Sequence, residues 1–341
     1  MAQPRGLILA GDVGGTKTRL AFCDPDRDLA LVAEETFASQ EQAGLEEIAA
    51  EFRARHPHGI ARAAFGIAGP VIENRVQTTN LPWLVDTARL ARALELPGAS
   101  HVILLNDLEA TAWSLAALAP SAFRVLQAGE PRARGNQAIV AAGTGLGQAA
   151  LYWDGGRHRP FATEGGHAAF APRDELEDGL LRHLRLEHGT HVSWERVLSG
   201  PGLVAIYAYL RGLSGGAEEN LAQGNGEDPA AAISKAALEG RSPLAERALE
   251  RFAALYGSQA GNLALTVLAS GGVYLAGGIA PKILPILERP DFLEAFLDKG
   301  RLRPVLEAVP VRVILDDRAP IYGAARRALA ELEDPAPAGP A

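Results

Sequence analysis

The sequence predicts an α/β protein of two domains that face each other across a cleft, and three observations support this prediction. The chain has 341 residues, a length that suits two domains of ordinary size. Each half opens with a short apolar strand, a glycine-rich turn and a second apolar strand, around residues 14–15 and 143–147. Further apolar strands alternate with helical segments, as in α/β sheets. Both glycine turns are therefore expected to point into one cleft.

The first half alternates strands with helices. Short apolar runs predict strands at residues 7–12, 18–23, 63–67 and 101–105. Apolar residues at helical spacing predict helices over residues 45–55, 86–94 and 108–118. The first two strands flank Gly14-Gly15, so they are expected to form a hairpin.

The second half repeats this order. Apolar runs predict strands at residues 138–142, 148–153, 272–275 and 311–315, and helical spacing predicts helices over 244–268 and 321–332. The middle third is expected to be mainly helical. Residues 212–230 are rich in small and polar side chains and predict a surface loop. The Pro/Ala/Gly-rich tail after Glu333 predicts disorder.

Composition and charge narrow the class of protein. Hydrophobic residues make up 48% of the chain and charged residues 22%, which is the balance of a globular protein with a sizeable core. The net charge of −8 disfavours nucleic acid or an anionic membrane as the main partner. The single cysteine, Cys23, excludes an intrachain disulfide and a cysteine-rich zinc site. Without a signal peptide or a long apolar span, a cytoplasmic protein is expected.

The first motif is the glycine turn at residues 11–16. Gly11, Gly14 and Gly15 free the backbone to present N–H donors to an anion, and Thr16 adds a hydroxyl. The Asp12 carboxylate would repel a polyphosphate unless it faced a cation, so a water-bridged Mg²⁺ is expected there. An ordinary tight hairpin is the alternative. Residues 14–18 lack the Gly-Lys-Ser/Thr order of a P-loop.

Two further glycine segments lie in the second half. Gly143-Thr144-Gly145 could bind the far side of a triphosphate, and its spacing does not match a dinucleotide fingerprint. Gly277-Gly278 lies between a strand and Pro281, where a helix is expected to start, and would let adenosine lie flat against the backbone. A plain strand-to-helix connection is the alternative for this last segment.

Two sets of polar residues could act on a sugar. Asn106-Asp107 follows a buried strand, where open α/β sheets bind ligands, and the carboxylate could take the proton of an attacking hydroxyl. A helix cap is the alternative role for this pair. Glu164, His167 and Glu187 could bind adjacent hydroxyl groups. A purely structural role is the alternative for His167.

The order of these motifs resembles the bacterial glucokinase family, in the hexokinase–actin–Hsp70 fold group. Residues 79–83 and 197–203 also resemble that family, and the likeness covers about residues 6–330. The resemblance implies an actin-like ATPase (ribonuclease H-like) fold with an interdomain cleft. It implies a small domain of residues 1–117 plus 320–335, a large domain of residues 118–319, and a disordered tail at 336–341.

The resemblance also implies a reaction, in which ATP phosphorylates glucose to glucose 6-phosphate. Asp107 would act as general base on the sugar 6-hydroxyl, with Mg²⁺ bound to ATP and reached by Asp12 through water. The implied sugar contacts are Asn80, Asn106, Asp107, Glu164, His167 and Glu187. The implied ATP contacts are Gly11, Asp12, Gly14, Gly15, Thr16, Gly143, Thr144, Gly145, Gly277 and Gly278. A homodimer is the family expectation. His167 is not expected to bind zinc, because residues 168–172 contain no cysteine.

Three rival functions remain open from the residues alone. Another hexose, such as fructose, mannose or an N-acetylated hexosamine, would use the same base and ATP site. A sugar-sensing regulator is disfavoured by the acidic charge and by the position of the first glycine turn near the N-terminus. A chaperone-type ATPase of the related fold would need a long substrate-binding extension.

Overall fold

The computed structural model describes residues 6–215, 220–223, 226 and 228–333. The predicted disordered tail at 336–341 and part of the predicted loop at 212–230 lie outside these residues. The chain forms two compact units. Unit 1 comprises the described residues of Met1–Pro120 and Asp316–Ala341, and unit 2 those of Ser121–Leu315.

The strands and helices are numbered in chain order. The strands are β1 Leu7–Val13, β2 Lys17–Asp24, β3 Ala30–Ala38, β4 Ile60–Ile67, β5 Val71–Ile72, β6 Arg75–Gln77, β7 Leu84–Asp86, β8 Val102–Asn106, β9 Phe123–Gln127, β10 Gln137–Ala142, β11 Leu146–Trp153, β12 His158–Thr163, β13 Gly272–Ala276 and β14 Val311–Ile314. The α-helices are α1 Leu45–Arg55, α2 Thr87–Ala93, α3 Asp107–Ser114, α4 Glu175–His188, α5 Gly200–Leu213, α6 Pro229–Leu238, α7 Pro243–Thr266, α8 Leu284–Leu287, α9 Pro290–Leu297, α10 Arg303–Glu307 and α11 Ala319–Glu333.

Unit 1 is built on a five-stranded sheet in the order β3-β2-β1-β4-β8. Strands β1, β4 and β8 are parallel, whereas β2 and β3 run antiparallel to their neighbours. One sheet face packs on α1 and α2 through residues such as Leu9 and Phe52, and the other packs on α11 through Ile8 and Ala325. The carboxyl ends of β1, β4 and β8 therefore lie at one edge of the sheet.

Helices α3 and α11 pack closely in unit 1. A Cβ atom added at Gly323 of α11 would lie 1.6 Å from the carbonyl oxygen of Ala110 in α3. Only a residue without a side chain allows the two backbones to approach this closely. The C-terminal helix thus supports the helix that begins at Asp107.

Unit 2 is built on a six-stranded sheet in the order β12-β11-β10-β13-β14-β9. Strands β10, β13 and β14 are parallel, so their carboxyl ends also share one edge. The core joins this sheet to α5, α6, α7 and α9 through buried apolar residues such as Val140, Phe252 and Phe292. Among the described residues, no helix is both long and apolar enough to cross a membrane.

The sequence missed the short strands β5, β6 and β7, which form a separate three-stranded sheet, and it also missed β3, β9 and β12, which are edge strands of the two larger sheets. Edge strands carry polar and charged side chains, so their apolar pattern is weak. The predicted helix start at Pro281 is wrong, because residues 277–283 form turns and α8 begins at Leu284. The second glycine turn is also shorter than predicted, since β11 already begins at Leu146.

Candidate active site

The first glycine turn joins β1 to β2. Its Gly14 N–H donates to the Lys17 carbonyl at 3.0 Å. The side chain of Asn80, more than 60 residues later in the chain, lies directly against Gly15, where an added Cβ would be 2.6 Å from the Asn80 Cβ. The turn and Asn80 were predicted separately as ATP and sugar contacts, and the structure brings them together within unit 1.

Asn106 ends β8 and caps α3. Its side-chain oxygen accepts from the Leu108 N–H at 3.0 Å, and its side-chain nitrogen donates to the Gly69 carbonyl at 3.3 Å. Asp107 is the first residue of α3, and one of its carboxylate oxygens also accepts from the Leu108 N–H, at 2.9 Å. The alternative role as a helix cap is therefore correct for Asn106.

The charge of Asp107 acts on Asp12 at this sheet edge. Burial, together with the negative charge of Asp107, raises the pKa of the Asp12 carboxyl to about 6, while the positive charge of Arg19 opposes the shift. Arg19 is itself paired with Asp317 at 3.0 Å. Strands β1 and β8 are separated by β4, so their ends are about 10 Å apart.

The two carboxylates at this sheet edge, Asp12 and Asp107, are suited to a bound cation. Mg²⁺ prefers carboxylate and water oxygens and binds through one or two carboxylates together with substrate phosphates. A partly buried Asp12 whose ionised form is disfavoured would gain a compensating charge from such an ion. Asp12 therefore remains the residue suited to a water-bridged Mg²⁺.

Replacing Asp12 by asparagine is expected to stabilise the ligand-free protein at neutral pH. Folding raises the pKa of this carboxyl from 3.8 to about 6, so the folded state keeps a proton that the unfolded state releases. The free energy of unfolding therefore falls as the pH rises through this range, and it stays lower at higher pH. We expect Asp12→Asn to add about 1–2 kcal/mol at neutral pH and little near pH 4. Urea unfolding at both pH values measures this, and an equal gain at both would contradict it.

The second glycine turn joins β10 to β11 and is fixed from two sides. The Gly143 N–H donates to the Gly145 carbonyl at 2.9 Å, and the Gly200 N–H at the start of α5 donates to the Gly143 carbonyl at 2.8 Å. A carboxylate oxygen of Glu195 accepts from the Leu146 N–H at 3.0 Å. Thr144, at the tip, is exposed. The turn is thus held rigidly while its tip stays accessible.

The Gly277-Gly278 turn lies beside the second glycine turn. Gly277 has a φ of +81°, and an added Cβ would lie 2.4 Å from the Ala142 carbonyl oxygen. The Ile279 N–H approaches the same oxygen at 3.3 Å. Because β10 and β13 are paired in parallel, both turns leave the same sheet edge. Glycine is required at position 277 for both its backbone conformation and the close approach.

A cavity of about 1240 Å³ opens next to these two turns. Its wall includes Gly143 and Thr144 of one turn, Gly278 and Ile279 of the other, and the facing sides of α5 and α6. Lys235 and Lys282 add positive charge. A concave, largely apolar cavity with a few polar groups is typical of a small-ligand site, and its position suits an adenosine.

The loop with Glu164 and His167 rests on Leu146. An added Cβ at Gly166 would lie 1.9 Å from the Leu146 carbonyl oxygen, so glycine is required there. The side chains of Glu164 and His167 are 90% and 59% exposed and lie 3.9 Å apart. The Leu146 N–H donates to Glu195, so Glu195 and the loop that carries Glu164 and His167 both contact the same residue of β11.

Glu187 was predicted as a further sugar contact and lies on a different element. It lies in the last turn of α4, its side chain is 70% exposed, and its carboxylate is 4.0 Å from His188. It does line the 1240 Å³ cavity, as does Glu195. The structure thus favours Glu195 over Glu187 as the third polar group beside Glu164 and His167.

Comparison with known proteins identifies the family. The model of the family described as Glucokinase matches residues 9–331. The chain belongs to the glucokinase family. A glucokinase of Trichormus variabilis is 44% identical over 337 residues, which cover 94% of this chain and 98% of that protein.

Solved structures of the family share the fold. The crystal structure of a glucokinase from an Antarctic psychrotroph has a TM-score of 0.82 and 30% identity, covering 94% of this chain and 98% of that one. A ROK family glucokinase from Streptomyces griseus, in complex with glucose and AMPPNP, has a TM-score of 0.64 and 23% identity, covering 94% and 98%. The predicted α/β fold of the actin-like ATPase class is thereby confirmed.

Two residues at the family's glycine turns were missed from the sequence. Ser39 contacts the first turn, and Glu195 contacts the second. Glu195 lies just upstream of the quoted segment 197–203, so that segment could have drawn attention to it. Ser39 lies in a polar stretch after an edge strand and carries no signal of its own.

Proposed function

We propose that this chain is an ATP-dependent glucokinase that transfers the terminal phosphoryl group of ATP to the 6-hydroxyl of glucose. The observation that carries this is the sheet edge of unit 1, where the parallel strands β1 and β8 bring Asp12, the first glycine turn and Asp107 to the same edge. A carboxylate for the hydroxyl proton and a turn for phosphates are what phosphoryl transfer requires. Membership of the family supports the same reaction.

Each step of the reaction has residues suited to it. Asp107 accepts the proton of the 6-hydroxyl as the oxygen attacks phosphorus, and Asn106 orients the sugar while capping α3. In unit 2, Glu164, His167 and Glu195 offer paired hydrogen bonds to the other hydroxyls. The Streptomyces griseus relative was solved with glucose and AMPPNP, which supports this pair of substrates.

The nucleotide is assigned to the glycine turns. N–H groups of the turns at residues 14–16 and 143–145 that make no hydrogen bond within the turn would donate to phosphate oxygens, and adenosine would occupy the 1240 Å³ cavity beside Gly278. Mg²⁺ bound to the phosphates neutralises their negative charge, and Asp12 would hold it through water. A cytoplasmic homodimer is proposed on the basis of the family, and sedimentation tests the oligomeric state.

A coupled assay with ATP and a panel of glucose, fructose, mannose and N-acetylglucosamine tests the function. We expect the highest kcat/KM with glucose and loss of activity when a chelator removes Mg²⁺. A higher kcat/KM for another sugar would refute the assignment of glucose. Full activity in chelator would refute the role of the metal, and no turnover of any sugar would refute the proposed function.

The choice between Glu195 and Glu187 is tested with two matched variants. Glu195→Gln keeps an oxygen for the Leu146 N–H but removes the charge, so we expect the KM for glucose to rise about tenfold, with the KM for ATP little changed. Glu187→Gln changes an exposed carboxylate and is expected to leave the KM for glucose within about twofold. Steady-state kinetics measures both. The reverse pattern would restore Glu187 as the sugar contact.

A further inference from the structure

We propose that Ser39 is a positioning residue for the phosphate turn at Gly14–Thr16, and so controls the use of ATP rather than of the sugar. This inference rests on the proposed function. Ser39 follows the edge strand β3, and none of its groups is assigned to contact a substrate. Ser39 makes hydrogen bonds to both ends of the turn, at Gly14 and at Thr16.

Ser39 binds two carbonyl groups of the turn. Its N–H donates to the Thr16 carbonyl at 3.0 Å, and its hydroxyl donates to the Gly14 carbonyl at 2.8 Å. Both carbonyls are thereby directed at one residue, Ser39, which is fully buried. The two bonds together favour one conformation of the turn, because another conformation would lose them.

The hydroxyl of Ser39 is itself fixed in direction. Its oxygen lies 2.9 Å from the hydroxyl oxygen of Thr18, which is also fully buried. Since the single proton of Ser39 is directed at Gly14, the Thr18 hydroxyl is the donor in this pair. The chain of bonds Thr18–Ser39–Gly14 is therefore polarised toward the turn.

The two anchored carbonyls determine where the N–H groups of the turn point. The described chain contains no cis peptide bond. In a trans peptide the carbonyl and the following N–H point in opposite directions. Holding the Gly14 and Thr16 carbonyls toward Ser39 therefore directs the N–H groups of Gly15 and Lys17 away from it. Those are the donors that a phosphate on the outer side of the turn would meet.

Removing the hydroxyl should therefore affect ATP selectively. Ser39→Ala keeps the backbone bond to Thr16 but frees the Gly14 carbonyl, so the turn can rotate. Misplacement of a positioning group by about 1 Å costs up to about 10²-fold in rate. We expect kcat/KM for ATP to fall about 10- to 100-fold and the Kd for AMPPNP to rise at least fivefold. The KM for glucose should change by less than about twofold.

Two further variants separate positioning from folding. Ser114→Ala removes another fully buried serine hydroxyl, which donates to the Thr111 carbonyl within α3. It is expected to lower the melting temperature while leaving the AMPPNP Kd unchanged. Thr18→Val removes the donor to Ser39 but keeps the bond to Gly14, so a smaller loss in ATP use, about two- to fivefold, is expected.

The measurements are AMPPNP binding by calorimetry, steady-state kinetics for both substrates, and thermal unfolding of each variant. A Ser39→Ala variant that melts earlier but keeps the wild-type AMPPNP Kd and KM for ATP would overturn the proposal. Equal losses for glucose and ATP would also overturn it. Should Ser39→Ala fail to fold, an unchanged ATP response in Thr18→Val would overturn it. Wild type that binds AMPPNP but phosphorylates no sugar would refute the proposed function alone, since the binding test of Ser39 would still stand.

Discussion

Replacing Asp107 by asparagine is expected to lower kcat by about 10²- to 10⁴-fold, because removal of a general base typically costs this much. Asparagine keeps an oxygen that can accept from the Leu108 N–H, so the start of α3 should be preserved. Glucose binding should persist, since hydrogen bonding to the sugar does not require the negative charge. Kinetics and glucose binding by calorimetry measure the two effects separately.

A second aspartate offers a matched control for Asp107. Asp86 caps α2 in the same unit, accepts from the Ala88 N–H and pairs with Arg75 at 2.7 Å. Asp86→Asn removes the charge of a carboxylate at a helix start without touching the proposed chemistry. It is expected to leave kcat within about twofold. Near-normal turnover in Asp107→Asn, or an equal loss in both variants, would contradict the role of Asp107.

Replacing Gly323 by alanine is expected to destabilise unit 1 by about 3 kcal/mol or more. At a solvent-exposed position of a helix, a change from glycine to alanine would stabilise the protein by about 1 kcal/mol, since alanine is the better helix former. Here the new methyl group would lie 1.6 Å from the Ala110 carbonyl oxygen, so α3 and α11 must separate. Overpacking against backbone is costly because no side-chain rotation can relieve it. Urea unfolding of the variant measures the loss.

Gly212 provides the control for Gly323. It lies in the last turn of α5, and an added Cβ would meet nothing within 4 Å. Gly212→Ala is expected to be neutral or to stabilise by up to about 1 kcal/mol. We therefore expect the free energy of unfolding to fall in Gly323→Ala and to stay the same or rise in Gly212→Ala. A Gly323→Ala variant as stable as wild type would show that the two helices can separate at little cost.

The features that could be predicted are those that depend on residues close together in the sequence. The glycine turn at Gly14-Gly15, the pair Asn106-Asp107 and the apolar strands on either side are local patterns, and the structure has them where they were expected. The family resemblance then added roles that no local pattern carries. The edge strand β3 was missed because its exposed face is polar.

Contacts between distant residues could not be predicted in the same way. Ser39 reaches the Gly14 carbonyl across 25 residues, and Glu195 reaches Leu146 across 49. Both are polar side chains whose partner is a backbone group, which leaves no complementary residue type in the sequence to reveal the contact. Physical proximity, created by the sheet and its turns, is what gives these two residues a role.

The division of unit 1 along the chain has a consequence for synthesis. Its sheet and α3 come from the first 120 residues, but α11 begins at Ala319, after the whole of unit 2. During translation the sheet face that α11 covers stays uncovered while nearly 200 further residues are made. Unit 2 can complete its core first, as domains generally fold as units. The support for the helix that carries Asp107 is thus among the last parts to form, so a nascent chain should remain inactive until α11 has left the ribosome.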